Sequence, residues 1–295
     1  MKNLSLFKIL IISAITFVSC TKDNDLEETC TKENFVVSFD RLVKKRTKQP
    51  AGWNSIGNTL EFTYNEFNLL SKKQKGNIDG SSKIDFNYGC NNNISERYQS
   101  EYSYNSENKL TEVYDRGNAS SYNLSYNGSS VEVNGGTSYI DYSAIYLELN
   151  ANNLVTKITR KNNYSVLEYD ANENLILAKD FNLNDELLKT YELTYDQNTN
   201  PYYGQLKSIY LDRILNYFFE SAEDAMNTIS TADIDNIFPY FKNNVIKIDE
   251  RSNSSLDSVF LERDFTYDEE DYPIMFQYKI YGYSDGTVEI TYQDE

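Results

Sequence analysis

The chain has 295 residues, with 45 acidic and 28 basic side chains, no histidine and a formal charge of −17. A field of that sign repels phosphate backbones, so nucleic acid is excluded as a partner. Without histidine there is no Ser-His-Asp triad, no Cys-His pair and no histidine-ligated metal site, and nothing in the sequence asks for a cofactor.

Lys2 and Lys8 precede and open an apolar run from Ile9 to Val18, interrupted by Ser13 and Thr16, and Ser19 stands before Cys20. The run falls short of the roughly 20 apolar residues that cross a bilayer, so residues 1–19 read as a signal peptide. Phe17-Val18-Ser19-Cys20 resembles the lipobox of bacterial lipoproteins, although Phe17 departs from the usual leucine. The resemblance implies cleavage before Cys20 and acylation of that cysteine; an ordinary secretory signal with an incidental cysteine is the alternative. Cleavage removes two lysines and no acid, taking the charge from −17 to −19. More than one acyl chain on a residue anchors firmly, so a membrane is the expected partner through Cys20.

Residues 20–40 are polar and acidic without periodicity, as expected of a flexible tether. Within them Lys22-Asp23-Asn24-Asp25 resembles the export signal that sends lipoproteins of Bacteroidetes-type bacteria to the outer face of the outer membrane. Cys30 and Cys90 form a disulfide in such an oxidising compartment if their Cα atoms approach within about 7 Å, and stay free thiols if not.

Residues 41–295 read as one β domain. Tyrosine at 26 and phenylalanine at 15, against four prolines, favour strands, and Asn, Asp, Ser and Gly supply turns. A repeat runs through it: Tyr64-Asn65-Glu66-Phe67-Asn68-Leu69-Leu70, Tyr104-Asn105-Ser106-Glu107-Asn108-Lys109-Leu110 and Tyr169-Asp170-Ala171-Asn172-Glu173-Asn174-Leu175. Leu149-Asn150-Ala151-Asn152-Asn153-Leu154-Val155 is a diverged copy, Phe86-Asn87 a faint one, and Tyr126 and Tyr195 mark further steps. Steps of 18 to 26 residues fit one hairpin each. Before each turn the apolar residues alternate, as in Leu60, Phe62 and Tyr64, which predicts an antiparallel meander with one wet face.

These units resemble the YD-repeat (Rhs-like) family, and more closely the lipoproteins of Bacteroidetes-type bacteria built from such units. Tyr195-Asp196 with Asn200-Pro201-Tyr202, and Tyr267-Asp268 with Tyr272-Pro273, match recurrent segments of that lipoprotein group. The resemblance implies a meandering antiparallel sheet and no activity; at this length a large closed cocoon is not expected.

Between 208 and 241 the period changes. Leu211, Ile214, Leu215 and Phe218 fall on one helical face, and Ser221 with Asp224 could cap a second helix through Met226 and Ile229. This short helical insertion is expected to pack on the sheet or plug its open side.

The acids Asp268-Glu269-Glu270-Asp271 follow a turn tyrosine, where acids are ordinary. Asp170-x-Asn172-x-Asn174 and Asp180-x-Asn182-x-Asn184 imitate the opening of a calcium loop but lack its glycine and closing glutamate, so no metal site is expected. Lys44-Lys45-Arg46-x-Lys48 reads as a solvated strand edge. Asp257-Ser258-Val259 resembles the O-glycosylation tripeptide of Bacteroidetes-type envelope proteins, with Ser258 the acceptor. The expected function is a non-enzymatic envelope lipoprotein that binds or scaffolds a glycan or an envelope protein outside the cell. The alternative is a carboxylate-dependent polysaccharide-degrading enzyme.

Overall fold

The computed structural model describes residues 41–50, 58–76, 82–89, 91–136, 145–230, 238–252 and 255–293. The first strands are β1 (Val43–Pro50), β2 (Asn58–Tyr64), β3 (Leu70–Gly76), β4 (Ser82–Tyr88), β5 (Ile94–Arg97), β6 (Ser100–Tyr104), β7 (Leu110–Asp115), β8 (Ser120–Asn127) and β9 (Ser130–Gly135). They are followed by β10 (Ile145–Leu149), β11 (Val155–Thr159), β12 (Asn163–Tyr169), β13 (Leu175–Asn182) and β14 (Leu187–Thr199). Two helices, α1 (Tyr210–Tyr217) and α2 (Ala222–Ser230), precede β15 (Asn243–Ser252), β16 (Ser255–Tyr267), β17 (Pro273–Ile280) and β18 (Tyr283–Tyr292).

Each strand pairs antiparallel with its successor, and β1 pairs with both β2 and β18. The expected meander is therefore present, and it closes into an eighteen-stranded barrel. Closure corrects one expectation: β1 is the strand that seals the ring rather than an exposed edge. Arg46 points inward, only 5% exposed, with its guanidinium 5.4 Å from the Phe276 ring centroid.

Alternation decides which face is wet. On β8 and β9 the buried residues are Tyr122, Leu124, Val131 and Val133, while Asn123, Ser125 and Glu132 between them are exposed. Elsewhere the outer face carries cross-strand ion pairs such as Lys157 with Glu148, Lys179 with Glu168 and Arg251 with Glu192. A barrel that spans lipid needs the reverse, an apolar outer band about 25 Å tall around a polar interior. The wall here is thus built to stand in water. Each inward Leu, Ile or Val that is fully buried contributes about 1.5–3 kcal/mol to holding it together.

The insertion fills the lumen. It begins at Asn200, earlier than the period change at 208 suggests, and makes contacts around most of the ring. Gln205 accepts a hydrogen bond from the Leu70 N–H at 2.8 Å on β3, and the Ser208 hydroxyl accepts one from Ile94 at 3.0 Å on β5. Asp212, 4% exposed, accepts from the Tyr102 hydroxyl at 3.2 Å and the Tyr122 hydroxyl at 2.5 Å, on β6 and β8. Arg160 donates to the Phe218 carbonyl at 3.0 and 2.6 Å, closing α1 from beyond β11. Asp180 on β13 accepts from the Ala222 N–H at 3.0 Å and the Ser165 hydroxyl at 2.6 Å. Burial pushes the Asp180 carboxyl above its ordinary value, against those two donors and the nearby Arg160. Only an element inside the ring reaches β3, β8 and β13 together. Leu211, Ile214, Leu215, Phe218, Met226 and Ile229 are all buried, as their spacing predicts. At α2 the capping acid is Asp224, whose carboxylate accepts from the backbone N–H groups of Glu220 and Ser221.

Candidate ligand-binding cleft at the barrel rim

One rim of the barrel is made of a repeated turn. At Asn65, Asn105, Asn150, Asp170, Asn182 and Asp268 a side-chain oxygen accepts from the N–H groups two and four residues on. The residue three places on takes a left-handed conformation, as at Asn68 (φ 61), Asn108 (φ 59) and Asn153 (φ 61). Asn and Asp tolerate that conformation and satisfy the turn's donors locally, which is why the repeat needs them. Of the six, Asn182 lies at the opposite end, joining β13 to β14.

Tyrosines stitch these hairpins together. The hydroxyl of Tyr88 donates to the Leu70 carbonyl, Tyr104 to Ile94, Tyr126 to Leu110, Tyr169 to Val155 and Tyr195 to Leu175, all at 2.8–2.9 Å. Tyr64 donates to Val43 and Tyr292 to Pro273 in the same way. The acceptor is in most cases the first strand residue after the preceding turn. Tyrosines 64, 104, 126, 169 and 195 therefore occupy equivalent corners, as the repeat predicts. The faint copy was misregistered by two residues: the corner is Tyr88, and Phe86 is a core residue, 4% exposed. Burial raises these hydroxyls, Tyr126 to about 12 and Tyr169 and Tyr195 well beyond their ordinary value.

The ladder lapses at Leu149, which has no hydroxyl and whose N–H bonds to the Ser129 carbonyl. Beside it the rim stands away from the start of the insertion, leaving a cavity of about 510 Å³ lined by Tyr88, Asn92, Asn93, Tyr126, Leu149 and Lys207, among others. A second cavity of about 320 Å³ lies between Asn152, Glu173, Tyr203 and Tyr240. Both are lined by Asn153, Gly204, Lys207 and Tyr210, so they form two lobes of one cleft.

The cleft is rich in carboxamides. Asn91 and Asn93 both donate to the Asn108 side-chain oxygen, at 3.0 and 3.3 Å. Lys109 pairs with Glu107 at 2.8 Å and lies 5.4 Å from the Tyr126 ring centroid. Its ammonium holds the Glu107 carboxyl below its ordinary value. Tyr210 accepts from the Val155 N–H, and burial takes its hydroxyl to about 12. Lys207 is exposed and has no ion-pair partner among the described residues. Glu107 lines the larger lobe and Glu173 the smaller, so neither lobe holds two carboxylates.

Other sequence-predicted sites lie elsewhere. Cys20, Lys22, Asp23, Asn24, Asp25, Cys30 and Cys90 fall outside the described residues. Ser258 is half-buried on β16 with Glu250 as its cross-strand partner. Asp268 pairs with Arg41 at 2.5 Å while forming its turn, and Asp170 forms another. Among the described residues no group of three metal-ligating side chains converges. Sequence reasoning missed the cleft, although its signal was present as the leucine where the repeat elsewhere places tyrosine.

No family model matches the chain, and no curated protein matches it by sequence. Among solved structures it is similar to a porin-like protein from Bacteroides uniformis ATCC 8492, at 12% identity over 85% of this chain and 96% of that one, with a TM-score of 0.42. A porin-like protein from Bacteroides vulgatus ATCC 8482 matches at 12% identity over 87% of this chain and all of the other, with a TM-score of 0.36. The Tc holotoxin pore of Photorhabdus luminescens matches at 11% identity over 76% of this chain and 12% of that one, with a TM-score of 0.31.

Proposed function

We propose that the chain is a non-enzymatic envelope lipoprotein, anchored through Cys20, whose barrel presents a binding cleft at its asparagine-rich rim. The observation that carries the reading is the two-lobed cleft itself, floored by a rigid insertion and walled by fixed turns. Pockets of roughly 300–1,000 Å³ with a few convergent polar groups are the usual form of a small-ligand site. Rigid scaffolds commonly place recognition on such loops. The wet outer wall supports a body carried outside the bilayer on a lipid tether, facing outward as the lysine-plus-acidic signal implies. Each lobe is lined by a single carboxylate, Glu107 or Glu173, which favours binding over hydrolysis, because glycoside cleavage uses a pair of carboxyl groups about 5–9 Å apart across one bond.

Two measurements test this. Growth with a clickable fatty acid should label the wild type and not Cys20→Ala; equal labelling of the variant removes the anchor. Incubation of the purified full chain with envelope and extracellular polysaccharide fractions should show retention without turnover, lost in an Asn153→Arg, Lys207→Glu double variant. Turnover abolished by Glu107→Gln or Glu173→Gln in a folded protein would make it an enzyme.

A further inference from the structure

On the reading that the rim cleft binds a ligand, we propose that its occupant is an oligosaccharide carrying a carboxylate. One sugar ring sits beside Leu149, where the neighbouring repeats place a tyrosine ring, and the carboxylate rests on Lys207.

The vacancy comes first. In seven places around the ring a tyrosine hydroxyl reaches a backbone carbonyl of the preceding hairpin or strand. At Leu149 the side chain is shorter and apolar, and the larger lobe opens between it, Tyr126 and Tyr210. A pyranose, a puckered six-membered ring with a C–H face and hydroxyls on its rim, fits the chemistry of that seat, its C–H face on aromatic and leucine carbon and its hydroxyls toward amides.

The amides supply the second argument. A carboxamide offers both donors and acceptors, and a sugar hydroxyl is likewise both. Asn91, Asn93 and Asn108 form a linked set that lines the larger lobe, and Asn152 and Asn153 extend the array into the smaller one. The lobes share four residues, so a ligand of several linked units spans them.

A peptide is the less suited occupant. Extended peptides bind sheets by adding a strand to an open edge, and every strand of this ring is paired on both sides. Lys207 then fixes the charge. It lies where the lobes meet, and Lys109, the other cation of the larger lobe, is taken up by Glu107. A cation without an ion-pair partner among the described residues, on a chain of −17, is complementary to one acidic sugar and is not matched by a neutral one.

Titration calorimetry of the full chain against acidic tetrasaccharides that each carry one uronate, whether galacturonate, mannuronate, guluronate or glucuronate, tests the proposal, with mannotetraose and tetra-aspartate as comparisons. At least one acidic tetrasaccharide should bind at least tenfold tighter than either comparison. Leu149→Tyr should weaken it tenfold or more with an unchanged urea midpoint, because tyrosine is what the equivalent corners already hold. Lys207→Met, at an exposed site that does not affect folding, should abolish the preference for the acidic sugar. Equal binding by Leu149→Tyr, no preference for charge, tighter binding of tetra-aspartate, or no binding of any acidic tetrasaccharide overturns it. Retention of a neutral polysaccharide fraction that Asn153→Arg, Lys207→Glu abolishes would sink this proposal while leaving the binding cleft standing.

Discussion

Two arcs of the same rim use the same turn for different ends. On the arc of Asp170 and Asp196 the rim is sealed: Asn174, 1% exposed, donates to the Asn243 side-chain oxygen at 2.9 Å and accepts from the Asn243 N–H at 3.0 Å. Tyr195 meets Phe241 edge-on at 5.5 Å. Asn93 occupies the same turn position on the other arc, four residues after the turn begins, and faces the large lobe instead. The difference lies in what stands opposite: Phe241 of the insertion and Asn243 at the start of β15 on one side, Gly204 and Lys207 of the insertion on the other. Turn chemistry therefore sets the geometry of the rim, and the insertion decides whether it is filled.

The comparison breaks most severely if the plug is loosened beneath the open arc. Asp212→Ala leaves the Tyr102 and Tyr122 hydroxyls inside the barrel without their acceptor. Losing a charged acceptor inside the barrel costs about 1–3 kcal/mol per hydrogen bond, so a loss of about 3 kcal/mol is expected in urea unfolding. Asp212→Asn, which keeps one acceptor oxygen, should lose less.

Substitution at equivalent positions sharpens the contrast. Asn174→Ala on the sealed arc takes their partner from the Asn243 N–H and side-chain oxygen and should cost about 2 kcal/mol. Asn93→Ala on the open arc gives up one bond of 3.3 Å between half-buried or exposed groups and should cost about 0.5 kcal/mol or less. Equal losses would mean that the open arc is as tightly built as the sealed one.

Much of this was legible in the sequence. The alternation of Leu60, Phe62 and Tyr64 and the Tyr-Asn/Asp steps carry strand period and turn chemistry within a few residues, so hairpins, wet face and corner tyrosines follow from local rules. The amphipathic spacing from Leu211 to Phe218 likewise shows a helix. Closure was not legible, because the pairing of β1 with β18 joins positions such as Lys45 and Thr291 that no local period connects. The same holds for the roles of Arg46 and Asp212, whose burial depends on what stands across the lumen. Leu149 announces a break in the repeat, but only the course of the insertion turns that break into a cleft.

Alkaline titration reports on the buried tyrosines of both arcs. Tyr169 and Tyr195 have folded values well above the ordinary one near 10, and on the open arc Tyr126 is raised to about 12 and Tyr88 further. A hydroxyl whose value is raised on folding stabilises fully below the unfolded value. That contribution is lost as pH rises through 10 toward the folded value, because the unfolded chain releases the proton first. Each such tyrosine should lower stability by about 1.4 kcal/mol per pH unit above 10. Urea unfolding at pH 9 and 10.5 should show this slope, and Tyr195→Phe should reduce it by one proton; a slope unchanged in that variant would place Tyr195 outside the buried ladder.

A small effect that divides two substitutions sits at the exposed tip of the open arc. Asn108 has φ 59, its side-chain oxygen accepts from Asn91 and Asn93, and its backbone N–H closes the turn onto Asn105. Alanine in a left-handed conformation costs about 1 kcal/mol, while glycine adopts it freely but gains entropy when unfolded. Asn108→Ala should therefore lower the unfolding free energy by about 1 kcal/mol and Asn108→Gly by only a few tenths. Both remove the oxygen that orients Asn91 and Asn93, so both should weaken capture at the cleft to a similar degree. Stability and binding thus come apart at one residue. If Asn108→Gly binds as the wild type does while Asn108→Ala does not, backbone conformation alone shapes this lobe, and the carboxamide set takes no part in recognition.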